Sequence, residues 1–374
     1  MRVSNINLTI LEQTIQGLDQ AILSKFPKMG EWLEGSRQPT FKQLADYAKA
    51  VDIPFGYFFL ETLPEQTASI PHYRTTVDKT VVPSKDLQAV IALVEERQAW
   101  AKDLLLEWGA ETLPFAGQYS IHSPVEAVVQ AVYRVLGINE VEWASKFVTW
   151  QHAFKHLIIQ AEAARIFVIV NGIVGNNTRR SLQVEEFRGF VLYDEIAPFV
   201  FINGKDAVAG KIFTLIHEIV HVLIGESASF DWSFDKAHSN SIERFCNQVA
   251  AQFLVPDVLI KQFVEKYDYQ AVYNKLARAC KVSEVVVARR LLDTGRINKA
   301  QFFSFYKAHQ NRVVALKQGS GGDFYKSVPY RVSQRFFDLI NTAMLQNSIQ
   351  PTDAFRLTGL KAKTYDAYLS KLKE

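Results

Sequence analysis

The chain has 374 residues, 48% of them hydrophobic, with 26 Phe and a formal net charge of only +3. That length and apolar content build two or three domains with a sizeable core. The charge is too small to argue for or against nucleic acid, so any basic surface must be local. The two cysteines, Cys246 and Cys280, sit in apolar helical contexts and form no disulfide framework, which fits a reducing cytoplasm. No signal-like apolar segment opens the chain, and the apolar runs 196–202 and 215–224 are too short to span a membrane, so no membrane partner is expected. No low-complexity tract or fixed-period repeat appears.

Residues 1–64 read as a small helical domain. A first helix carries Ile10, Leu11, Ile15 and Leu18, although Ile6, Leu8 and Ile10 alternate and leave its start open. A second runs over 18–26 and stops at Pro27. A short third covers 28–34 and closes at Gly35. A fourth opens at Pro39-Thr40, with Thr40 as N-cap, and runs through Ala50; a fifth element begins at Pro54. Residues 61–86 hold Pro64, Pro71 and Pro83 with several Thr and read as a linker.

Beyond it, Leu87, Val90, Ile91, Val94, Leu104 and Leu105 mark an amphipathic helix over 86–108. Helices are expected over 124–136 and 143–158, and a β-branched strand over 166–170. Two more strands, 187–193 and 198–202, are joined by Asp194-Glu195-Ile196-Ala197, a hairpin-length turn. The second of these is expected at the edge of the sheet, where an extended substrate pairs by its main chain. Arg188 either pairs with an acidic group near a cleft or braces the hairpin, and bracing is the favoured reading.

The next helix, 213–224, is almost wholly apolar and contains His217-Glu218-x-x-His221. At i and i+4 the two imidazoles share one face and can bind a single metal ion, while Glu218 lies about 100° round the helix, placed for a general base. The competing reading is two satisfied core histidines and a surface Glu. A second helix follows, with Ile242, Phe245, Val249 and Phe253 at helical spacing. It can present Glu243 as a third ligand, giving a His2Glu site with an open fourth position, and Asn247 four residues on can orient a ligand. Glu243 is otherwise an ordinary exposed carboxylate. His238, on the intervening loop, is a candidate oxyanion donor or simply exposed.

After Pro256 come three or four helices. Helices over 269–280 and 284–292 make a helix–turn–helix-like pair bearing Arg278, Lys281, Arg289 and Arg290; two packed helices with solvated basic faces is the favoured reading. Gly319-Ser320-Gly321-Gly322 is a flexible joint, and a helical tail patterned by Phe336, Phe337, Leu339, Ile340 and Ala343 follows.

Glu186-Phe187-Arg188-Gly189-Phe190, Pro198 to Asn203, Phe213 to His221, and Glu243-Arg244-Phe245-Cys246-Asn247 with Phe253-Leu254-Val255-Pro256 together resemble the ImmA/IrrE family of zinc metallo-endopeptidases, densely over 160–256. The resemblance implies a thermolysin-like core with one zinc per chain held by His217, His221 and Glu243, and Glu218 as base. It implies cleavage of a helix-turn-helix repressor in a stress or mobile-element response. Cys246 departs from the family's usual small Ala. Trp32-Leu33-Glu34-Gly35-Ser36-Arg37-Gln38-Pro39-Thr40 with Leu44-Ala45 and Ala48 resembles repressor-type (XRE) helix-turn-helix domains. Lys25, Lys28 and Arg37 are then the candidate DNA contacts, but Glu31 and Glu34 on the recognition helix repel phosphate, and a protein-binding role stands beside DNA binding.

The expected fold class is therefore α+β. It comprises an all-helical helix-turn-helix domain (1–64), a linker (65–86), and a zincin-like minimal metallopeptidase core of small sheet plus HExxH helix (87–256). A helical region with the helix–turn–helix-like pair (257–318) and a helical tail (323–374) complete it. The expected function is a cytoplasmic zinc endopeptidase acting on a regulatory protein. The alternative is a DNA-binding regulator, or an antitoxin neutralising a small toxin encoded beside it, with the zincin fold as scaffold. A homodimer spanning two half-sites is the form in which DNA binding becomes useful.

Overall fold

The computed structural model describes residues 2–15, 18, 20–51, 53, 55–62, 83–138, 141–226, 228–230, 241–314 and 330–372. The chain divides into two units, Met1–Thr67 and Ala68–Glu374.

In the first unit the helices are α1 (Leu8–Ile15), α2 (Gln20–Leu23), α3 (Met29–Leu33) and α4 (Phe41–Val51), followed by a 3-10 turn, Phe55–Phe59. Asn7 settles where α1 starts: its Oδ1 accepts from the amides of Thr9 (3.0 Å) and Ile10 (3.4 Å), capping the first turn. Helix α2 is shorter than its apolar pattern predicts. Ahead of Pro27 the chain unwinds into i→i+3 turns, Lys25 N to Ile22 O and Phe26 N to Leu23 O, because the residue before proline is pushed out of the helical region. Thr40 and Gln43 cap α4 reciprocally, at 3.3 and 2.9 Å. Ile10, Leu11, Trp32, Leu44, Tyr47 and Phe58 form the buried core, and the one hydroxyl Tyr47 brings into it meets Thr14 at 2.9 Å.

The second unit is built on a small sheet. Long helix α5 (Lys85–Glu107) is followed by α6 (Val125–Val135) and α7 (Trp150–Ala163). The helix expected over 143–158 is two pieces: a 3-10 turn, Trp143–Lys146, and then α7, which restarts because Thr149 is extended and its Oγ1 caps the His152 amide at 3.2 Å. The strands are β1 (Phe167–Asn171), a small β2–β3 hairpin (Ile173–Val174 and Asn177–Ser181), β4 (Gly189–Leu192) and β5 (Phe199–Asn203). Helix α8 (Val208–Ile224) and strand β6 (Ala228–Phe230) follow. The sheet order is β1-β5-β4-β6, with β1 and β5 parallel and the other pairs antiparallel.

Strand β5 is thus interior, not the edge strand that 198–202 was expected to form; β1 and β6 are the outer strands among the described residues. The physical reason is in its composition. Phe199 and Phe201 point to one core and Val200 and Ile202 to the other, and a strand buried on both faces needs neighbours on both sides. The turn between β4 and β5 is held by Asp194, whose Oδ1 accepts from Ile196 and Ala197 at 2.8 and 2.9 Å.

Helices α9 (Ser241–Leu254), α10 (Asp257–Lys266), α11 (Tyr269–Cys280), α12 (Glu284–Asp293) and α13 (Lys299–Val314) come next, then α14 (Gln334–Leu345), α15 (Pro351–Thr358) and α16 (Ala362–Leu372). The result is three layers. Residues of α6 to α9, α11 and α12 share a core with Val168, Val191, Val200 and Ile202. On the other face α5 and the tail helices cover Phe167, Phe190, Phe199 and Phe201. The tail is therefore part of this unit's core. No helix among the described residues is long and apolar enough to cross a membrane.

Candidate metal centre

Helix α8 runs through the middle of one core, and every residue from Ile212 to Ile224 is buried. A helix with no solvent face has no cheap place for a polar side chain, yet this one buries Thr214, His217, Glu218 and His221. Its C-terminus ends at Gly225, in the left-handed region at φ 79°. Two neighbouring carbonyls, of Val222 and Leu223, are met by the amides of Gly117 and Tyr119 at 3.0 Å each. Its start is tied to the sheet by Arg188, whose guanidinium donates to both oxygens of Asp206 at 2.9 and 2.8 Å. Arg188 thus braces the hairpin to the turn before α8.

Gly189 sets how closely helix and sheet approach. A Cβ there would lie 2.5 Å from Thr214 Cγ2, 2.8 Å from the Phe201 carbonyl and 3.4 Å from Glu218 Oε1. The bare glycine lets β4 pass directly over the turn that carries Glu218.

His217 and His221 meet at their Nε2 atoms, 3.0 Å apart. Helix α9 returns alongside α8 and brings in Glu243, with Oε2 3.0 Å from His217 Nε2 and Oε1 3.3 Å from His221 Nε2. These three residues are the one group among the described residues whose donor atoms converge as a metal set would. The spacing can be tested against an ion: ligand atoms about 2.0–2.1 Å from a tetrahedral centre stand about 3.3–3.4 Å apart. One observed separation, 3.3 Å, meets that value, and the two of 3.0 Å are shorter by about 0.3–0.4 Å, so a small spreading of the side chains would seat a four-coordinate metal.

The electrostatics agree. Burial pushes the Glu243 pKa up, but hydrogen bonds from His217 and His221 and their charge outweigh it and hold the carboxyl well below its usual range. Burial pushes His217 down, against the pull of Glu243. An ionised carboxylate beside a neutral imidazole is the protonation state that binds a metal. Glu218 is fully buried, and neither of its carboxylate oxygens has a hydrogen-bond partner among the described residues. Burial, with the charge of Glu243, raises its pKa well above the ordinary value. Asn247, one turn beyond Glu243, lies against His217. The Cys246 thiol is buried and its pKa pushed far up by burial and by Glu243 and Glu218, so it is no nucleophile.

Of the other candidates, Arg37 pairs with Glu31 at 3.2 Å in the first unit, Lys25 is exposed and Lys28 half-buried. His238 lies outside the described residues, as does the Gly319 to Gly322 joint. Thr214 and Gly189 were not singled out for a role in the sequence. The only signal for them was that a small residue stood where a sheet and a buried helix had to touch.

A small mixed sheet laid against a buried helix with His at i and i+4, and a carboxylate returned by the next helix, is an arrangement of the metallopeptidase type. Residues 172–292, running from the end of β1 through α12, match a peptidase family model described as the IrrE N-terminal-like domain, of the ImmA/IrrE family. Residues 332–371 match a second model, described only as a domain of unknown function. No curated protein matches the chain.

Proposed function

We propose that the protein is a zinc-dependent endopeptidase that cleaves a regulatory, repressor-like protein, with its first unit recognising a partner. The observation that carries this is the convergence of His217, His221 and Glu243 beside a buried Glu218 whose carboxylate oxygens have no partner among the described residues. The peptidase family match over 172–292 supports it. His217 Nε2, His221 Nε2 and a Glu243 oxygen would hold the metal, which when bound would supply Lewis acidity to the reaction. Glu218 would take the proton of the attacking water and pass it to the departing amine. Asn247 keeps His217 in orientation. The outermost strand on the α8 side is β6, so an extended substrate would add beside it.

The test is metal content and cleavage measured on the full chain. One zinc per chain is expected, lost in His217→Ala, His221→Ala and Glu243→Ala and kept in Glu218→Gln. Cleavage of a co-expressed target should fall by roughly a hundredfold or more in Glu218→Gln. A wild-type chain that takes up no stoichiometric zinc overturns the reading. Full biological output from Glu218→Gln would instead support a binding protein on a zincin scaffold.

A further inference from the structure

The tail enters the core beside one carboxyl. Glu162 stands on the last turn of α7, just before the chain turns into β1. Its Oε1 accepts from the Ser333 hydroxyl at 2.6 Å, and the amides of Arg335 and Val168 also donate to the carboxylate. One side chain therefore joins the end of α7, strand β1 and the residue that starts the tail's first helix. Ser333 is fully buried and caps α14, its Oγ accepting from the Phe336 amide at 3.2 Å. Its backbone sits at φ 74°, a conformation that an L-residue keeps only where its surroundings hold it. The two bonds of its hydroxyl supply that hold.

Between Glu162 and α14 lies a cavity of about 380 Å³, lined also by Phe167, Arg335, Asp338 and Leu339. Glu162 is half-buried, so its proton exchanges with solvent. Asp338, the second carboxyl of the cavity, accepts from the Gln334 amide at 2.8 Å, and Gln334 in turn accepts from the Tyr368 hydroxyl of α16. The Arg335 guanidinium lies over the Phe167 ring at 5.2 Å and feels both carboxyls. Among the described residues, the ionisable groups that act on Glu162 or its neighbours are thus Arg335 and Asp338 of α14, Tyr330 before it, Tyr368 of α16 and Arg165 after α7. Burial, with the charge of Asp338, pushes the Glu162 pKa up to about 7, against hydrogen bonds from Ser333, Arg335 and Val168 that favour the charged form.

We propose that Glu162 and Ser333 form a proton-gated latch: the tail is docked most firmly with Glu162 neutral and loosens as the carboxyl gives up its proton. The sign follows from linkage. The folded-state pKa of Glu162 lies above the unfolded value of 4.5, so its contribution is full below 4.5 and is lost as pH rises through about 7. Opening bares Phe167 and Phe199, whose rings the Phe336 ring meets edge-on at 6.2 and 5.7 Å. The latch uses none of the metal-site residues, so it stands whether or not the second unit is a peptidase.

The test is hydrogen exchange of the full chain between pH 6 and 8, in one metal state throughout, with protection of the α14 amides corrected for the intrinsic pH dependence of exchange. Protection over 336–343 should fall roughly tenfold across that range in the wild type, the change that a carboxyl with those two pKa values gives. Glu162→Gln should flatten the response. Asp338→Asn, which leaves the latch in place, should keep most of it. Ser333→Ala keeps the carboxyl and removes the hydroxyl, and should lower α14 protection roughly fivefold at pH 6; it carries the test if the Gln variant does not fold. Three results overturn the proposal: wild-type protection that does not fall with pH, a fall that Asp338→Asn abolishes and Glu162→Gln does not, or wild-type protection in Ser333→Ala.

Discussion

Arg97 and Glu218, ionisable groups buried on opposite faces of the sheet, are treated in opposite ways. On the tail side, Arg97 of α5 is 3% exposed and pairs with no carboxylate among the described residues. Its guanidinium donates instead to the carbonyls of Leu357 (2.9 Å), Thr358 (3.4 Å) and Arg331 (3.3 Å) and lies over the Phe336 ring. Two of those carbonyls belong to the last turn of α15, where the helix dipole is negative and carbonyls lack partners. Burial lowers its pKa only to about 10, so it stays charged at neutral pH. On the α8 side, Glu218 and Thr214 are equally buried and their side-chain oxygens find no partner among the described residues. On the tail face Arg97 is met in full, although the Tyr365 hydroxyl is buried there without a partner among the described residues. What sets the α8 face apart is that its unmet group is an ionisable carboxyl, Glu218, beside the metal ligands.

The comparison can be broken first at Arg97. Arg97→Ala leaves carbonyls of α15 without a donor and removes a packed stem, so it should destabilise the second unit by about 3 kcal/mol or more. Urea unfolding followed by circular dichroism measures this, and limited proteolysis should show the tail released first. A loss near zero would mean that the carbonyls are hydrated and that Arg97 does not hold the tail.

Glu218 should give the opposite sign in the metal-free protein. Its folded pKa stands above the unfolded value of 4.5, so its favourable contribution is full below 4.5 and is lost as pH rises. Glu218→Gln removes that titration. At pH 7 the metal-free variant should be more stable than wild type by about 1–2 kcal/mol. The gap should close as pH falls toward 4.5, which unfolding curves at several pH values would show. A gap that does not depend on pH would assign the effect to packing.

Thr214→Val is the smallest change. It keeps the shape against Gly189 and deletes a buried hydroxyl with no partner. A gain of about 0.5–1 kcal/mol in thermal or urea unfolding is expected, with zinc content unchanged. Destabilisation would reveal a partner for the hydroxyl and narrow the contrast between the faces to Glu218 alone.

Much of this was legible along the chain. The 4-residue spacing of His217 and His221 fixes their common face whatever surrounds the helix, and the Phe245, Val249, Phe253 stripe turns Glu243 towards α8. The position of β5 was not legible from its adjacency to α8. It was misplaced at an edge because chain order says nothing about sheet order, although its unbroken Phe-Val-Phe-Ile run carried the sign of burial on both faces. The break before α7 turned on one Thr149 side chain, and a cap of that kind competes with apolar periodicity on nearly equal terms.

Local sequence alone determined the helix that carries the motif, the strands around it, and the cap at Thr40, since each depends on contacts within a few residues. The triangle of His217, His221 and Glu243, the passage of β4 over Glu218 at Gly189 and the docking of Arg97 on α15 all join residues far apart in the chain. Only the packing of α8 between a sheet and its neighbouring helices decided them, because a close-packed interior sets which distant groups touch, and no periodicity records that.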